Sequence, residues 1–357
     1  MRRLLLPVLA CTLLQLAAVP GDATLLRNPD FSAQLTSWTQ ESGAWVHNLG
    51  DGIPGPGGTA GTTSAGAGTA ALTQCVDVSS VPGGSDLALR AWVITVGHSS
   101  LSEVEIELFS AAACGGSLLA AASDPYQTPD AAQWNLTYTT IGVPAGGAAS
   151  ARVRLAITNG AGGEQTRFDA VRLDRSLISN GHFTTNLAGW TQNSGTWTRV
   201  ADGLSTPPGA ARAVVAGDGS AFLSQCVLLA DHQASVAYLP LVRMKAETAL
   251  DNTILSFLFF DDTACAGNLL SGPGLIASNT QLNAWETFAS GLFVPFAVAA
   301  FPPDGAQSVA IFVALNPGQG TAGAVFLADD FAFVPSDFLF TDGVESGDTS
   351  AWSQTTP

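Results

Sequence analysis

Short runs of alternating apolar and polar residues recur along this chain, and they come in matched sets. Between Glu103 and Leu108, the apolar Val104, Ile106 and Leu108 alternate with Glu103, Glu105 and Glu107. Between Ala151 and Ile157, Val153, Leu155 and Ile157 alternate with Arg152 and Arg154. A period of two sends one set to the buried face of a strand and the other set to the opposite face. The second half repeats both runs. There Leu255, Phe257 and Phe259 point inward with Ile254, Ser256 and Leu258 outside, and Val309, Ile311, Val313 and Leu315 point inward with Ala310 and Phe312 outside. Helical periodicity is scarce, and Gly, Pro, Asp and Asn separate the runs. The pattern predicts an all-β chain of sandwich type. Two Asp-Gly steps, Asp51-Gly52 and Asp202-Gly203, suit turns with positive φ.

The halves are copies. Asn28, Phe31, Leu35, Trp38-Thr39-Gln40, Ser42-Gly43 and Trp45 return as Asn180, Phe183, Leu187, Trp190-Thr191-Gln192, Ser194-Gly195 and Trp197. The expected organisation is therefore residues 24–174 for the first domain and 175–334 for the second. Residues 1–23 precede them, and a tail, 335–357, follows with a truncated echo of the repeat ending at Trp352. Domains of about 150 residues are of ordinary size. The copies differ on their outer faces. If the strands of each set share a sheet, the first copy carries a cross-strand ladder of Glu and Arg and the second an apolar patch. The second copy also has an insertion between Pro295 and Ser308, which begins with Phe296 and runs through Phe301.

Composition narrows the function classes. Hydrophobic residues make up 46% and charged residues only 12%, which fits a packed, turn-rich protein and not a disordered one. The net charge of −16, with Lys245 as the single lysine, argues against nucleic acid, because phosphate binding needs clustered Lys and Arg. Arg2 and Arg3, the apolar run Leu4 to Val19 and the small residues Gly21-Asp22-Ala23 read as an export signal, with Cys11 placed too early for a lipoprotein cysteine. The run is short for a membrane span, and no later stretch reaches spanning length without interruption, so no transmembrane segment is expected after cleavage. Export implies an oxidising compartment. Cys75 and Cys114 have the same spacing as Cys226 and Cys265, and one disulfide per copy is the simplest reading. Zinc is disfavoured, since neither pair has a C-x-x-C spacing and no histidine recurs beside them.

The repeat resembles carbohydrate-binding modules of the galactose-binding-like jelly-roll type, as found in secreted cellulases and xylanases. The residues that carry the resemblance begin with the opening segments Asn28-Pro29-Asp30-Phe31-Ser32 and Asn180-Gly181-His182-Phe183-Thr184, taken as strands. Next come Gln74-Cys75-Val76 and Gln225-Cys226-Val227, then Trp134 leading to Val143-Pro144 and Trp285 leading to Val294-Pro295. The closing segments are Asp169-Ala170-Val171 and Asp329-Asp330-Phe331. The resemblance implies two tandem jelly-roll β-sandwich domains that bind a polysaccharide or glycan. It also implies a structural calcium held by Asp169 and Asp329, although Ser32 and Thr184 stand where such modules often have a ligating glutamate. The alternative for these aspartates is hydrogen bonding to nearby backbone amides. The tail from Phe340 to Ser353 looks like a C-terminal segment of many secreted bacterial proteins.

The recurring Trp38, Trp45, Trp190 and Trp197 are expected in the cores, with Trp134 and Trp285. Aromatic residues that do not recur are the candidate sugar platforms: Trp92, which shares a strand face with Arg90, Tyr126 in a turn-rich stretch, and Phe312 near Leu258 on the outer face. For Phe312 the competing reading is a contact between the domains. No nucleophile elbow, His-Glu-x-x-His or phosphate loop is present, and the four histidines do not recur. Glu103, Glu105 and Glu107 lie on one strand face without counterparts in the second copy, which suits a salt-bridged face better than a glycosidase pair. The expectation is a secreted or cell-surface, non-catalytic carbohydrate-binding protein of bacterial origin. The alternative is a structural or adhesion protein of the bacterial cell envelope.

Overall fold

The computed structural model describes residues 24–49, 58–63, 68–96, 100–128, 134–159, 165–206, 208–229, 237–272, 274–289, 302–315 and 320–336. Residues 1–23 read as an export signal, the Asp51-Gly52 step expected as a turn, the stretch Phe296–Phe301 and the residues beyond Ser336 lie outside the described residues. Every regular element described is a β-strand. The first copy contributes β1 (Thr39–Ser42), β2 (Trp45–Leu49), β3 (Gly58–Thr63), β4 (Gly68–Asp77), β5 (Asp86–Val96), β6 (Ser100–Ala111), β7 (Gly115–Thr128), β8 (Asn135–Gly142), β9 (Ser150–Asn159) and β10 (Gln165–Arg175). The second contributes β11 (Thr191–Ser194), β12 (Thr196–Val200), β13 (Ser205–Thr206), β14 (Ala210–Val214), β15 (Ala221–Leu228), β16 (Ala237–Ala246), β17 (Asn252–Phe260), β18 (Leu269–Ser271), β19 (Gly274–Ser278), β20 (Trp285–Ala289), β21 (Ser308–Leu315) and β22 (Val325–Ser336).

These strands form two jelly-roll sandwiches of antiparallel sheets. In the first, sheet A runs β1-β4-β9-β6-β7 and sheet B runs β2-β3-β10-β5-β8. In the second, sheet C runs β11-β15-β21-β17, with β18 and β19 both pairing β17, and sheet D runs β12-β14-β22-β16-β20. The orders match strand for strand, as duplication requires. The alternating runs sit as their period dictates. Val104, Ile106, Leu108, Val153, Leu155 and Ile157 are buried between sheets A and B, and Leu255, Phe257, Phe259, Val309, Ile311 and Val313 between sheets C and D. Burying a side chain of this size contributes roughly 1.5–3 kcal/mol, so the two inner faces alone fix which way each strand turns.

The four recurring tryptophans are in the cores, each nine-tenths or more buried. Their ring nitrogens have matching partners. Trp38 Nε1 donates to Asn28 O and Trp190 Nε1 to Asn180 O, each at 3.1 Å, while Trp45 and Trp197 donate to Ser42 O and Ser194 O at 3.0 Å. The opening segments are turns and bends instead of strands. The reason is local. Asn28 Nδ2 donates to the carbonyls of Gln34 and Thr36, Asn180 Nδ2 donates to those of Asn186 and Ala188, and both asparagines take positive φ. A side chain that satisfies the backbone in this way competes with ladder pairing. Gly203 is also placed for a different reason than its sequence suggests. It does not have positive φ, but a Cβ there would lie 2.0 Å from Gly209 O, so close approach of the chain requires glycine.

A third apolar cluster joins the sandwiches. Ala88, Trp92, Leu136, Tyr138 and Ala170 from the outer face of sheet B pack on Leu239, Leu241, Ala332 and Val334 from the outer face of sheet D, with Trp134 at the margin. The short strand β13 of the second copy also extends sheet A, pairing Ser205 with Ala122 and Thr206 with Ala121 on β7. The domains therefore meet through sheets B and D, which leaves the outer faces of sheets A and C turned away from the junction.

Candidate functional site

The outer faces of sheets A and C are equivalent places in the two copies. On sheet A, Glu105 pairs in register with Arg154 and Glu107 with Arg152, across β6 and β9. Arg154 lies 3.1 Å from Glu41, 3.3 Å from Glu105 and 3.8 Å from Glu103, and Arg152 bridges Glu107 while its guanidinium sits 5.6 Å from the Phe109 ring centre. This is the expected charge ladder. Burial and the neighbouring Glu107 push the Glu105 carboxyl above the ordinary carboxylate range, and Arg154 opposes that shift. All three glutamates of the strand thus face guanidinium groups.

On sheet C the same register holds other chemistry. Phe312 on β21 stands opposite Ser224 on β15 and Ser256 on β17. A groove of about 370 Å³ opens here, with Phe222, Phe312, Leu258 and Ala310 as its apolar floor. Phe222 and Phe312 are half-buried, with ring centres 6.5 Å apart and planes tilted by 59°. One rim is polar: Thr191, Asn193 and Ser224, with Asn193 Nδ2 donating to Ser224 Oγ at 3.0 Å. The other end is formed by Ala264 and the Cys226–Cys265 disulfide. Two ring faces beside amide and hydroxyl groups can take the apolar face of a ring-shaped ligand while hydrogen-bonding its edge.

Both disulfides form within a copy. Cys75 pairs with Cys114 and Cys226 with Cys265, each with Cα atoms 5.9 Å apart and a sequence separation of 39. The first cysteine lies on β4 or β15, and the second lies in the turn after β6 or β17. In each copy a serine of the neighbouring strand holds that turn, since Cys114 N donates to Ser150 Oγ and Cys265 N to Ser308 Oγ.

The remaining candidates fall elsewhere. Trp92 is only 9% exposed and belongs to the apolar junction, so it offers no free ring face to a ligand. Arg90, on the same face as expected, is buried too, 3.2 Å from Asp174 and donating to Pro335 O at 2.7 Å. The backbone of Tyr126 pairs with Ser102 on the β6–β7 ladder, but its side chain lies outside the described residues. Asp169 accepts from Ala170 N at 2.7 Å and Asp329 from Leu204 N at 2.8 Å. Calcium takes six to eight oxygen ligands. Among the described residues no group of three His, Cys, Asp or Glu side chains comes together, so an ion at either aspartate would draw most of its oxygens from backbone carbonyls and water. Burial and the adjacent Asp330 hold the Asp329 carboxyl well above its ordinary range. Phe222 was missed from sequence. Its alternation with the buried Ala221 and Leu223 is a signal that could have put it on the outer face, but nothing local shows that β15 and β21 bring it beside Phe312.

The junction carries its own polar network. Arg243 bridges Asp124, donates to Tyr138 O at 2.6 Å, stacks 4.9 Å above the Tyr138 ring centre and lies 3.8 Å from Asp330. Asp124 accepts from Thr137 Oγ1 at 2.5 Å, and Asp330 accepts from Thr140 Oγ1 at 2.8 Å. Burial raises Asp330, and Arg243 pulls against that rise. Asp86 accepts from Gly181 N at 2.7 Å.

No protein-family model matches the chain, and no curated protein matches it. Solved structures similar to it include carbohydrate-binding modules. One is the N-terminal CBM22-1–CBM22-2 tandem domain of Xyn10C from Paenibacillus barcinonensis, at 14% identity and a TM-score of 0.33, covering 90% of this chain and 100% of that one. Another is TmCBM61 in complex with β-1,4-galactotriose, at 16% identity and a TM-score of 0.32, covering 43% of this chain and 99% of that one. A third contains the CBM22-1 and GH10 modules of xylanase 10B from Clostridium thermocellum, complexed with xylohexaose. It has 13% identity and a TM-score of 0.34, covering 44% of this chain and 28% of that one. Overlaps this loose leave the ligand to be read from the groove itself. No described helix is long and apolar enough to cross a membrane.

Proposed function

We propose that this is a secreted or cell-surface, non-catalytic carbohydrate-binding protein of bacterial origin, and that its second sandwich takes a glycan in the groove on sheet C. The carrying observation is the tilted pair Phe222 and Phe312, half-buried on an otherwise open sheet face, with Asn193, Ser224 and Thr191 along one rim. The leader-like residues 1–23 and the two disulfides support export to an oxidising compartment. The glutamates of sheet A are engaged with arginines, which supports binding over bond cleavage. The test is binding to a panel of insoluble and soluble polysaccharides, comparing the wild type with Phe312→Ala and Phe222→Ala. Retained binding in both variants would reject the groove.

A structural or adhesion role in the envelope is the second reading, and one observation favours it. The sandwiches are joined by an apolar cluster and by buried polar contacts, as a spacer of fixed shape would be. A protein that binds none of the polysaccharides while remaining folded would decide for this reading.

A further inference from the structure

Among the described residues, the contact between Asp86 and His182 is the one place in the junction where a histidine of one copy meets a carboxylate of the other. Asp86 opens β5 and is 1% exposed. One of its oxygens accepts from Gly181 N, and the other lies 3.2 Å from His182 Nδ1. The approach is angled, so Nδ1 lacks a well-aligned hydrogen-bond acceptor and the pair is held by charge when the imidazole is protonated. Gly142, at the end of β8, makes room for the ring: a Cβ there would lie 2.4 Å from His182 Nε2. Gly181 is equally committed, because a Cβ on it would lie 2.2 Å from Phe331 O.

Neither member of the pair recurs. Asp30 stands where the second copy has His182, and accepts from Ser32 N and Oγ within its own turn. Ala237 occupies the Asp86 position in the second copy. The pair is therefore a feature of the junction and not of the fold. A groove of about 430 Å³ runs beside it, lined by Gly142, Val143, Pro144, Asn180, Thr184 and Thr185 among others, and gives the imidazole a path to solvent protons. Among the described residues, Asp86 and His182 are the only ionisable side chains lining that groove, and Asp330, reaching from β22, is the further charge that acts on His182.

We propose that the Asp86–His182 contact is a pH-sensitive latch between the two sandwiches, closed while His182 carries a proton and weakened when the proton leaves. Burial pulls the His182 pKa down, but the close carboxylate of Asp86, with the charge of Asp330, more than offsets this and leaves it above the ordinary histidine value. The sign follows. A histidine whose folded pKa is raised contributes stability that is complete below about pH 6.5 and is lost as pH rises through the folded value. The latch is independent of whether the sheet C groove binds glycan.

The test uses the full chain. Ser176 N donates to Asp86 O, so cleavage by trypsin after Arg175 requires the junction to open beside Asp86. The ratio of cleavage rates, His182→Gln over wild type, is expected to be several-fold at pH 6 and close to one at pH 9. A titration of the His182 imidazole by NMR is expected to give a midpoint above about 6.5 that falls in Asp86→Asn. A cleavage ratio that does not change with pH overturns the latch. So does a His182 midpoint at or below 6.5, or one indifferent to Asp86→Asn.

Discussion

The outer face of sheet A and the outer face of sheet C descend from one pattern and carry opposite chemistry. Arg154 and Glu105 on the first become Phe312 and Ser256 on the second, and Arg152 and Glu107 become Ala310 and Leu258, in the same register. The inner faces hardly differ: both are rows of Val, Ile, Leu and Phe. After duplication, the buried face is held by packing, while the outer face is free to change. The junction shows a third outcome. Trp92 in the first copy is matched by Arg243 in the second, and Ala170 by Asp330, each pair at the same place opposite or after the closing aspartate. There the copies diverged because they face each other, so complementary groups and not identical ones are needed.

The largest test of this comparison is Arg243→Ala. It would leave Asp124 and Asp330 buried across the junction without their cation. Removing one partner of a buried pair costs about 3–5 kcal/mol. Urea unfolding should show that loss, whereas Arg154→Ala on the ladder should not. If the two variants lose equally, the distinction between a buried junction network and a solvated ladder is wrong.

Removing either disulfide should act alike in both copies. A closed loop of this length contributes about 4 kcal/mol in the chain-entropy model, and the separations are equal. Cys75→Ser/Cys114→Ser and Cys226→Ser/Cys265→Ser should therefore lower stability similarly in denaturant titrations. Only the second variant should also weaken glycan binding, because Cys265 and Ala264 wall the groove. Equal binding in both would separate the disulfide from the site.

Next comes Phe312→Ala, for which a tenfold or greater loss of affinity is expected by isothermal titration, equivalent to about 1.4 kcal/mol or more. A sharper form rebuilds the ladder on sheet C. Ser256→Glu with Phe312→Arg should abolish binding and leave the fold intact, since the same pair already stands in register on sheet A.

How much of this was legible follows from the range of each signal. The period-two runs fix which side chains are buried, and they gave the sandwich and both outer faces correctly, Phe312 included. The equal cysteine spacing gave the pairings. Trp92 was misplaced as a ligand platform because its environment comes from Leu239 and Leu241, far away in sequence, and a strand pattern does not say which outer face meets the other domain. Asp330 shows the same limit. A bulge in β22 with φ of 52° at that residue turns it into the junction, and the aspartate pair alone gave no sign of it. The opening segments were misjudged because Asn28 and Asn180 satisfy backbone carbonyls with their amides, an effect that propensity does not reveal.

The smallest effect is expected from Arg154→Ala, and its pattern is more informative than its size. Arg154 and Glu41 are partly exposed, with side-chain exposures of 21% and 47%. Solvent screening holds such pairs to about 1 kcal/mol or less, and high salt should erase most of that. The pH dependence has a definite sign. Arg154 is the group that opposes the rise in the Glu105 pKa caused by burial and by Glu107, so its loss lets that pKa climb further. A carboxyl with a raised folded pKa favours the folded state while protonated and disfavours it once ionised. The stability difference between wild type and Arg154→Ala should thus vanish as pH falls below the carboxylate range and reach its full value near neutrality. A difference that persists unchanged in acid or in 1 M salt would mean that Arg154 acts through packing of its stem across β6 and β9, and that the face reads as a charge ladder only in appearance.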